Sequence, residues 1–313
     1  MSNNFREDVE AWSQANPIPG CKRLPDQGIS LPDHEAFHQF AFARGDTMTS
    51  PVSQTLIDAA RAYEALFVPA LFQQWAPMVA DAARIESGDR VLDIACGTGV
   101  LAREAARRTE SSGRVAGLDP NAGMLAVARG LAPGIDWRDG AAEALPFPDR
   151  SFDVVVCQFG LMFFSDRDKA VREMLRVMVP GGRCAVAVWD VIEHAPAFAA
   201  LVDLLDHVAG KPAGDALRAP FVLGDRQGLA VLFKSAGAGV VDLTTCNGTA
   251  RFPNIREFVE AELRGWLPVM GIVLPEPQID RILAEAETVF ARYLTADGLT
   301  FGISAHLATC RRP

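Results

Sequence analysis

The chain has 313 residues, 49% of them hydrophobic, and a formal net charge of −9 at pH 7. That length and apolar content allow a sizeable core and exclude general disorder, with one large domain plus a lid or subdomain as the natural expectation. The acidic balance disfavours a nucleic-acid partner, since it implies no electropositive surface. No apolar run approaches the roughly 20 residues that span a bilayer.

Residues 1–47 read as an arm rich in turn signals, Asn16-Pro17-Ile18-Pro19-Gly20 and Leu24-Pro25-Asp26-Gln27-Gly28. A flexible arm, a mis-assigned start ahead of Met48 and a functional segment all fit. The polar, acidic stretch Met1 to Glu10 does not resemble a secretory signal. His34 and His38 share a spacing of four that could place two metal ligands on one helix face; solvated histidines are the favoured reading.

From Thr55 the pattern turns helical, with Leu56, Ala60, Tyr63 and Phe67 at steps of three and four and Ser53 as the expected N-cap. Pro69 is expected to bend or end this helix, and a second run follows through Phe72, Trp75 and Val79. Residues 48–86 are therefore expected to form a helical lid ahead of the first strand.

Strand one is expected over Arg90 to Ala95, then helix Thr98 to about Thr109, strand two Arg114 to Leu118, and a helix through Met124, Val127 and Ala128. A short third strand near Ile135 to Arg138 and a β-branched fourth, Asp153 to Cys157, come next. Ser165 is the expected cap of a helix with Ala170, Val171, Met174, Leu175 and Met178 on its apolar side; Pro180-Gly181-Gly182 stops it before strand five, Arg183 to Trp189. Strands alternating with helices predict a mostly parallel sheet with helices on both faces.

After Trp189 the rhythm breaks. Helical insertions are expected at 190–221 and 254–298, around a helix from Asp225 to Ala236 and a long strand from Val240 to Phe252. Asn254 and Glu257 resemble a capping box, and Pro275 to Leu294 reads as a longer helix. Leu299 to Cys310 alternates as a strand and is expected to pair antiparallel with Val240–Phe252. Six scattered cysteines, Cys21, Cys96, Cys157, Cys184, Cys246 and Cys310, form no C-x-x-C pair and read as buried thiols in a reducing, cytoplasmic setting.

Gly97-Thr98-Gly99-Val100-Leu101-Ala102 matches G-x-G-x-x-A between a strand and a helix, with Asp119 at the end of the next strand. Taken alone, this is the dinucleotide fingerprint and leaves NAD and S-adenosylmethionine (SAM) both open. Asp93, just ahead of the turn, weighs between them: a carboxylate there repels a pyrophosphate on the helix N-terminus and favours a ligand with an ammonium. Three readings stand at this point. They are a SAM-dependent methyltransferase, an NAD(P)-dependent oxidoreductase and a non-catalytic SAM-binding module.

Four blocks in order carry a resemblance to a known family. They are Val91-Leu92-Asp93-Ile94-Ala95-Cys96-Gly97-Thr98-Gly99; Gly117-Leu118-Asp119-Pro120-Asn121-Ala122-Gly123-Met124-Leu125; Ala142-Glu143-Ala144-Leu145-Pro146-Phe147-Pro148-Asp149 with Ser151-Phe152-Asp153; and Leu175-Arg176-Val177-Met178-Val179-Pro180-Gly181-Gly182-Arg183. Across residues 88–190 the chain resembles the class I SAM-dependent methyltransferases, in particular the type 11, ubiquinone/menaquinone-biosynthesis-like group. The resemblance implies a Rossmann-like, seven-stranded sheet, mostly parallel with an antiparallel last strand, inside a SAM-binding domain over residues 87–313. It implies that Asp93, Gly97 and Gly99 contact the methionine part of SAM, Asp119 the ribose, and Met124 and Ala142 the adenine. The family's usual adenine-binding Asp falls where this chain has Ala141; Asp139 is the neighbouring carboxylate. Gln158 is expected at the methionine end, and Tyr63 resembles a tyrosine that relatives place over the cofactor.

No fixed catalytic residue follows from the sequence. A base is needed only for an acceptor that arrives protonated, and His194, just beyond strand five, is the nominated one. The aromatic-rich insertions point to a small, apolar or aromatic methyl acceptor. The oligomeric state is left open.

Overall fold

The structure, a computed structural model, describes residues 52–239 and 241–313. The expectations for His34, His38 and Cys21 lie outside these residues.

Two helices, α1 (Gln54–Phe67) and α2 (Trp75–Ala82), precede the sheet. As expected, α1 ends just ahead of Pro69, which sits in a π-helical turn, Val68–Phe72, that leads toward α2. Such a turn holds one extra residue, so the missing proline N–H is absorbed at a local widening of the helix. Ser53 occupies the N-cap position of α1 without a side-chain capping bond.

The alternating unit then follows: β1 (Arg90–Ile94), α3 (Val100–Thr109), β2 (Arg114–Asp119), α4 (Ala122–Leu131), β3 (Asp136–Asp139), β4 (Phe152–Gln158), α5 (Arg167–Val177) and β5 (Met178–Trp189). β1 to β5 pair in parallel, in spatial order β3-β2-β1-β4-β5. Val154, Val155, Val156 and Cys157 of β4 are wholly buried, as a strand covered by helices on both faces requires. Asp166, not Ser165, caps α5: its carboxylate accepts from the Lys169 N–H at 2.8 Å. Ser165 is taken by Glu143, which accepts from both its N–H and its hydroxyl at 2.9 Å. β5 also starts earlier than expected, because Met178 pairs with Phe152 before the register shifts at the Pro180-Gly181-Gly182 bulge.

Beyond β5 lie α6 (Pro196–Val208), α7 (Lys211–Arg218) and α8 (Arg226–Ser235). Then come β6 (Val241–Phe252), α9 (Ile255–Glu260), a second π-helical turn (Ala261–Trp266), α10 (Leu267–Val269) and α11 (Glu276–Phe290). A two-residue strand, β7 (Leu294–Thr295), leads into β8 (Gly298–Arg311). β8 runs antiparallel to both neighbours: it pairs with β6 from Val241↔Cys310 to Phe252↔Leu299 and with β5 from Arg183↔Arg311 to Trp189↔Ala305. The full order is β3-β2-β1-β4-β5-β8-β6, seven long strands with β7 hairpinned onto β8 as an eighth. Both faces of β8 are covered: Ser304, His306 and Ala308 are buried, with the Ser304 hydroxyl donating to Asp190 at 3.0 Å and His306 Nε2 lying 2.9 Å from the Gly224 carbonyl oxygen.

Among the described residues no helix is long and apolar enough to cross a membrane, and no cluster of His, Cys, Asp and Glu is arranged to hold a metal. Cys96, Cys157, Cys184 and Cys310 are buried free thiols, and Cys246 is half-buried and free.

Candidate active site

The carboxyl ends of β1, β2 and β4 converge where the strand order reverses, the usual place for a ligand in such sheets. The turn after β1 is tightly wound: Ala95, Gly97 and Gly99 all have positive φ, at 56°, 55° and 89°. The two glycines serve different ends. A Cβ on Gly97 meets nothing within 4 Å, so this residue faces open space. A Cβ on Gly99 falls inside the indole ring of Trp137 on β3, so its missing side chain makes room for packing. The Gly99 N–H donates to the Cys96 carbonyl at 2.8 Å.

Asp93 sits beneath this turn, 1% exposed. Neither of its carboxylate oxygens has a hydrogen-bond partner. Burial raises its pKa well above the ordinary Asp range; the nearby N–H of Ala102, in the first turn of α3, opposes the shift, and Asp119 adds to it. A buried, unpartnered carboxylate is costly unless a ligand supplies the missing positive charge or donors.

Asp119 closes β2. Its Oδ2 accepts from the Gly97 N–H at 2.9 Å and its Oδ1 from the Asn121 N–H at 2.8 Å. Each oxygen keeps a lone pair for a further donor such as a hydroxyl. Burial pushes its pKa to about 6 against the pull of those two N–H bonds, with Asp139 contributing repulsion. Asp139 is exposed and stands directly across from Asp119 in the β2–β3 ladder. Asn121 caps α4 by accepting from the N–H groups of Gly123 and Met124, which fixes Met124 one turn beyond Asp119, 8% exposed. Ala142 is buried in the loop after β3, and the neighbouring Ala141 carbonyl accepts from the Ala144 N–H.

The N-terminal helices lie against this edge. Gly123 of α4 lets α1 approach closely, since a Cβ there collides with the Leu56 backbone. The Tyr63 phenol is raised by burial, then by the charges of Asp119 and Glu64, which places it beside the ribose-binding candidate. Tyr63 stacks on Phe67 and Phe72 at 5.8 and 5.5 Å. Phe72 and Trp75 continue into the stacked pair Phe159 and Trp189, whose centroids are 3.7 Å apart. Gln158, at the end of β4, donates from Nε2 to the Phe72 carbonyl at 3.1 Å, while its Oε1 is buried with no partner.

The structure thus brings together Asp93, Gly97, Asp119, Met124, Tyr63 and Gln158. His194 is different. Its side chain is 63% exposed and its Nδ1 lies 2.8 Å from Asp190. Burial alone would raise Asp190, but the bonds from His194, the Val191 N–H and Ser304 outweigh it and hold this carboxyl low. No described contact joins His194 to the glycine turn or to Gln158, and a solvated imidazole suits poorly a reaction that needs a dry site.

Three features escape a reading of the sequence. Arg103 of α3 bonds Glu64 of α1 and the Thr98 carbonyl, each at 2.7 Å, locking the N-terminal helix to the turn. Cys96 lies close enough to Asp119 and Asp93 for their charges to raise it beyond the effect of burial. Trp137 fills the floor below Gly99 and Gly117. Only the small residues at 99 and 117 hint at the last.

A family profile described as a methyltransferase domain matches residues 92–186. The ubiquinone/menaquinone biosynthesis C-methyltransferase of Pseudomonas paraeruginosa is 43% identical over 187 residues, 57% of this chain and 67% of that protein. The chain belongs to the SAM-dependent methyltransferase family. The Xanthomonas oryzae C-methyltransferase of the same name is 41% identical over 144 residues, and the match spans 57% of that relative's length. Solved family folds superpose on most of the chain. The YcgJ protein of Bacillus subtilis gives a TM-score of 0.53 at 22% identity, over 76% of this chain and 98% of its own. The Haemonchus contortus phosphoethanolamine N-methyltransferase 2 in complex with SAM gives 0.53 at 18%, over 93% and 62%. Within this methyltransferase family the blocks quoted from the sequence fall at β1, β2, the loop before β4 and the start of β5.

Proposed function

We propose that the chain is a SAM-dependent methyltransferase that methylates a small, apolar, ring-bearing acceptor. The observation that carries the cofactor half is Asp93: a buried carboxylate with two unpartnered oxygens, below a turn whose Gly97 faces open space. It fits a ligand with an ammonium and does not fit a pyrophosphate. The donor supplies an activated methyl group; the protein supplies alignment and exclusion of water.

Each residue then has a task. Asp93 receives the ammonium end, and the open face of Gly97 admits the methionine chain. Asp119 accepts from the ribose hydroxyls, while Tyr63 covers them from α1. Met124, Ala141 and Ala142 border the adenine, with Asp139, the last residue of β3, the neighbouring carboxylate. Gln158 closes the methionine end through its unpartnered Oε1. We read residues 52–86 and the insertions at 190–221 and 254–298 as a roof over the acceptor, on a SAM-binding domain of residues 87–313. The acceptor class is supported by two things: the aromatic wall of Tyr63, Phe72, Phe159 and Trp189, and the names of the quinone-biosynthesis relatives.

Calorimetric titration with SAM and with NAD tests the first half; binding of NAD without SAM sinks it. Mass detection of S-adenosylhomocysteine, on incubation with SAM and a panel of reduced quinones and phenols, tests the second. Turnover confined to charged peptides or RNA overturns the acceptor class.

A further inference from the structure

We propose that Glu262, in the roof, takes the hydroxyl proton of the methyl acceptor; the role rests on the ring-acceptor reading above. Glu262 lies on the π-helical turn Ala261–Trp266 and is 5% exposed. Its carboxylate makes no hydrogen bond and no ion pair among the described residues, although cations are close in sequence. Those cations are committed elsewhere. Arg256 bonds Glu260 at 2.9 Å, and Arg264 clasps Glu276 with two bonds at 2.7 and 2.9 Å. Burial alone pushes the Glu262 pKa to about 8, with no neighbouring charge to pull it back. A carboxyl so placed weakens the fold where an apolar residue would strengthen it, which asks for a functional return.

Its position supplies one. Glu262 and Trp266 are four residues apart, close to one turn, and so share a face. The Trp266 ring lies 5.4 Å from Phe163. Phe163 ends the short turn Leu161–Phe163 that leaves β4 just after Gln158. That face of the roof therefore looks onto the edge of the sheet where the methyl donor's methionine end belongs. π-Helical turns recur at functional sites because the extra residue re-aims side chains.

The chemistry balances for a quinol methylated on ring carbon. The acceptor O–H bond breaks and its proton goes to Glu262. The freed electron pair conjugates to the ortho carbon, which bonds the methyl group while the pair of the carbon–sulfur bond stays on sulfur. The methylated carbon then loses its ring proton to water, and Glu262 returns its proton to the oxygen. A base that titrates near the working pH is the efficient one for such a transfer.

The test uses full-length protein with SAM and 1,4-naphthalenediol under reducing, anaerobic conditions. Glu262→Gln is expected to lower kcat by about 10²- to 10⁴-fold with KM within about threefold. Its calorimetric affinity for S-adenosylhomocysteine should be unchanged, and Glu262→Asp should restore part of the rate. A kcat within threefold of wild type overturns the proposal. A second readout does not depend on turnover. Infrared difference spectra, taken above the Glu262 pKa of about 8 on adding the diol to the S-adenosylhomocysteine complex, should show a protonated-carboxyl band that is missing in Glu262→Gln. Its absence from wild type overturns the role even if the variant is slow. A wild type that neither binds nor methylates the diol, with S-adenosylhomocysteine binding intact, overturns the ring-acceptor reading and the role with it.

Discussion

The indole of Trp137 occupies the space that a side chain on Gly99 would need, while Gly97, two residues earlier, faces nothing within 4 Å. The same glycine pair therefore separates stability from binding. Gly99→Ala forces a methyl into the ring at a φ of 89° and should cost more than about 2 kcal/mol, read as a lower Tm. Gly97→Ala adds only strain of about 1 kcal/mol, so its Tm should change little. Its S-adenosylhomocysteine affinity should fall at least about tenfold by calorimetry. Equal Tm losses in the two variants would contradict this division.

Asp93 should trade stability for binding. Its raised pKa means the folded chain holds a proton that the unfolded chain releases above the ordinary Asp range, so ionising it costs stability as pH rises. Asp93→Asn should leave the ligand-free Tm at pH 8 equal or higher, yet weaken S-adenosylhomocysteine binding about 30-fold or more, with adenosine binding untouched. Adenosine lacks the ammonium, so an equal loss for both ligands would refute the assignment.

For Asp119 the sign and window are explicit. Its folded pKa is about 6 against 3.8, so between those values the folded state binds the extra proton and stability falls as pH rises. The cost above pH 6 is on the order of 3 kcal/mol. Ligand binding runs the other way, because the carboxylate form accepts the ribose hydroxyls. Adenosine affinity should weaken as pH drops through about 6, and Asp119→Asn should flatten that dependence. A wild-type affinity constant between pH 5 and 7.5 would exclude the role.

Ala95 holds a left-handed backbone with its methyl against Gly160. A Cβ on Gly160 would lie 2.5 Å from that methyl and 2.9 Å from the Cys157 sulfur. Gly160→Ala should therefore destabilise by about 1–3 kcal/mol. Ala95→Gly should be near neutral, since relief of roughly 1 kcal/mol of strain offsets the entropy of a new glycine. The double variant should recover part of the loss; strict additivity in denaturant melts would show that the two sites do not touch.

The Arg103–Glu64 pair clamps α1 to the turn. Arg103→Ala should speed hydrogen exchange across residues 54–67 and weaken S-adenosylhomocysteine binding several-fold, with the exchange of β4 unchanged. His194→Ala, which removes an exposed imidazole from the buried Asp190, should keep kcat within about threefold; a hundredfold loss would return the base to that residue.

What the sequence made legible is local. The β1 turn is written in Asp93, Gly97 and Gly99, and Asp119 is spaced one strand–helix–strand unit away. The strands are written in β-branched runs such as Val154 to Val156. What it hid depends on distant partners. Ser165 reads as a cap until Glu143 claims it, leaving Asp166 to do the work. Pro69 marks the end of α1, but the π-helical turn that follows leaves no local mark. The alternation of β8 does not show that both its faces are covered, because Ser304 and His306 meet partners far away in the chain, Asp190 and Gly224. Glu262 carries no mark in the sequence; only packing shows that this charge lies in the interior.

The seating of β8 between β5 and β6 also sets an order of assembly. Strands β1 to β5, with Asp93, Asp119 and Gln158, are synthesised before the strand that stitches β6 and the roof to them. Until β8 arrives, the edge of β5 presents a row of unpaired backbone groups and β6 has no strand to pair with. Any partly folded chain that has paired β1 to β5 before β8 docks would therefore carry an open sheet edge, the feature most exposed to mispairing with other chains.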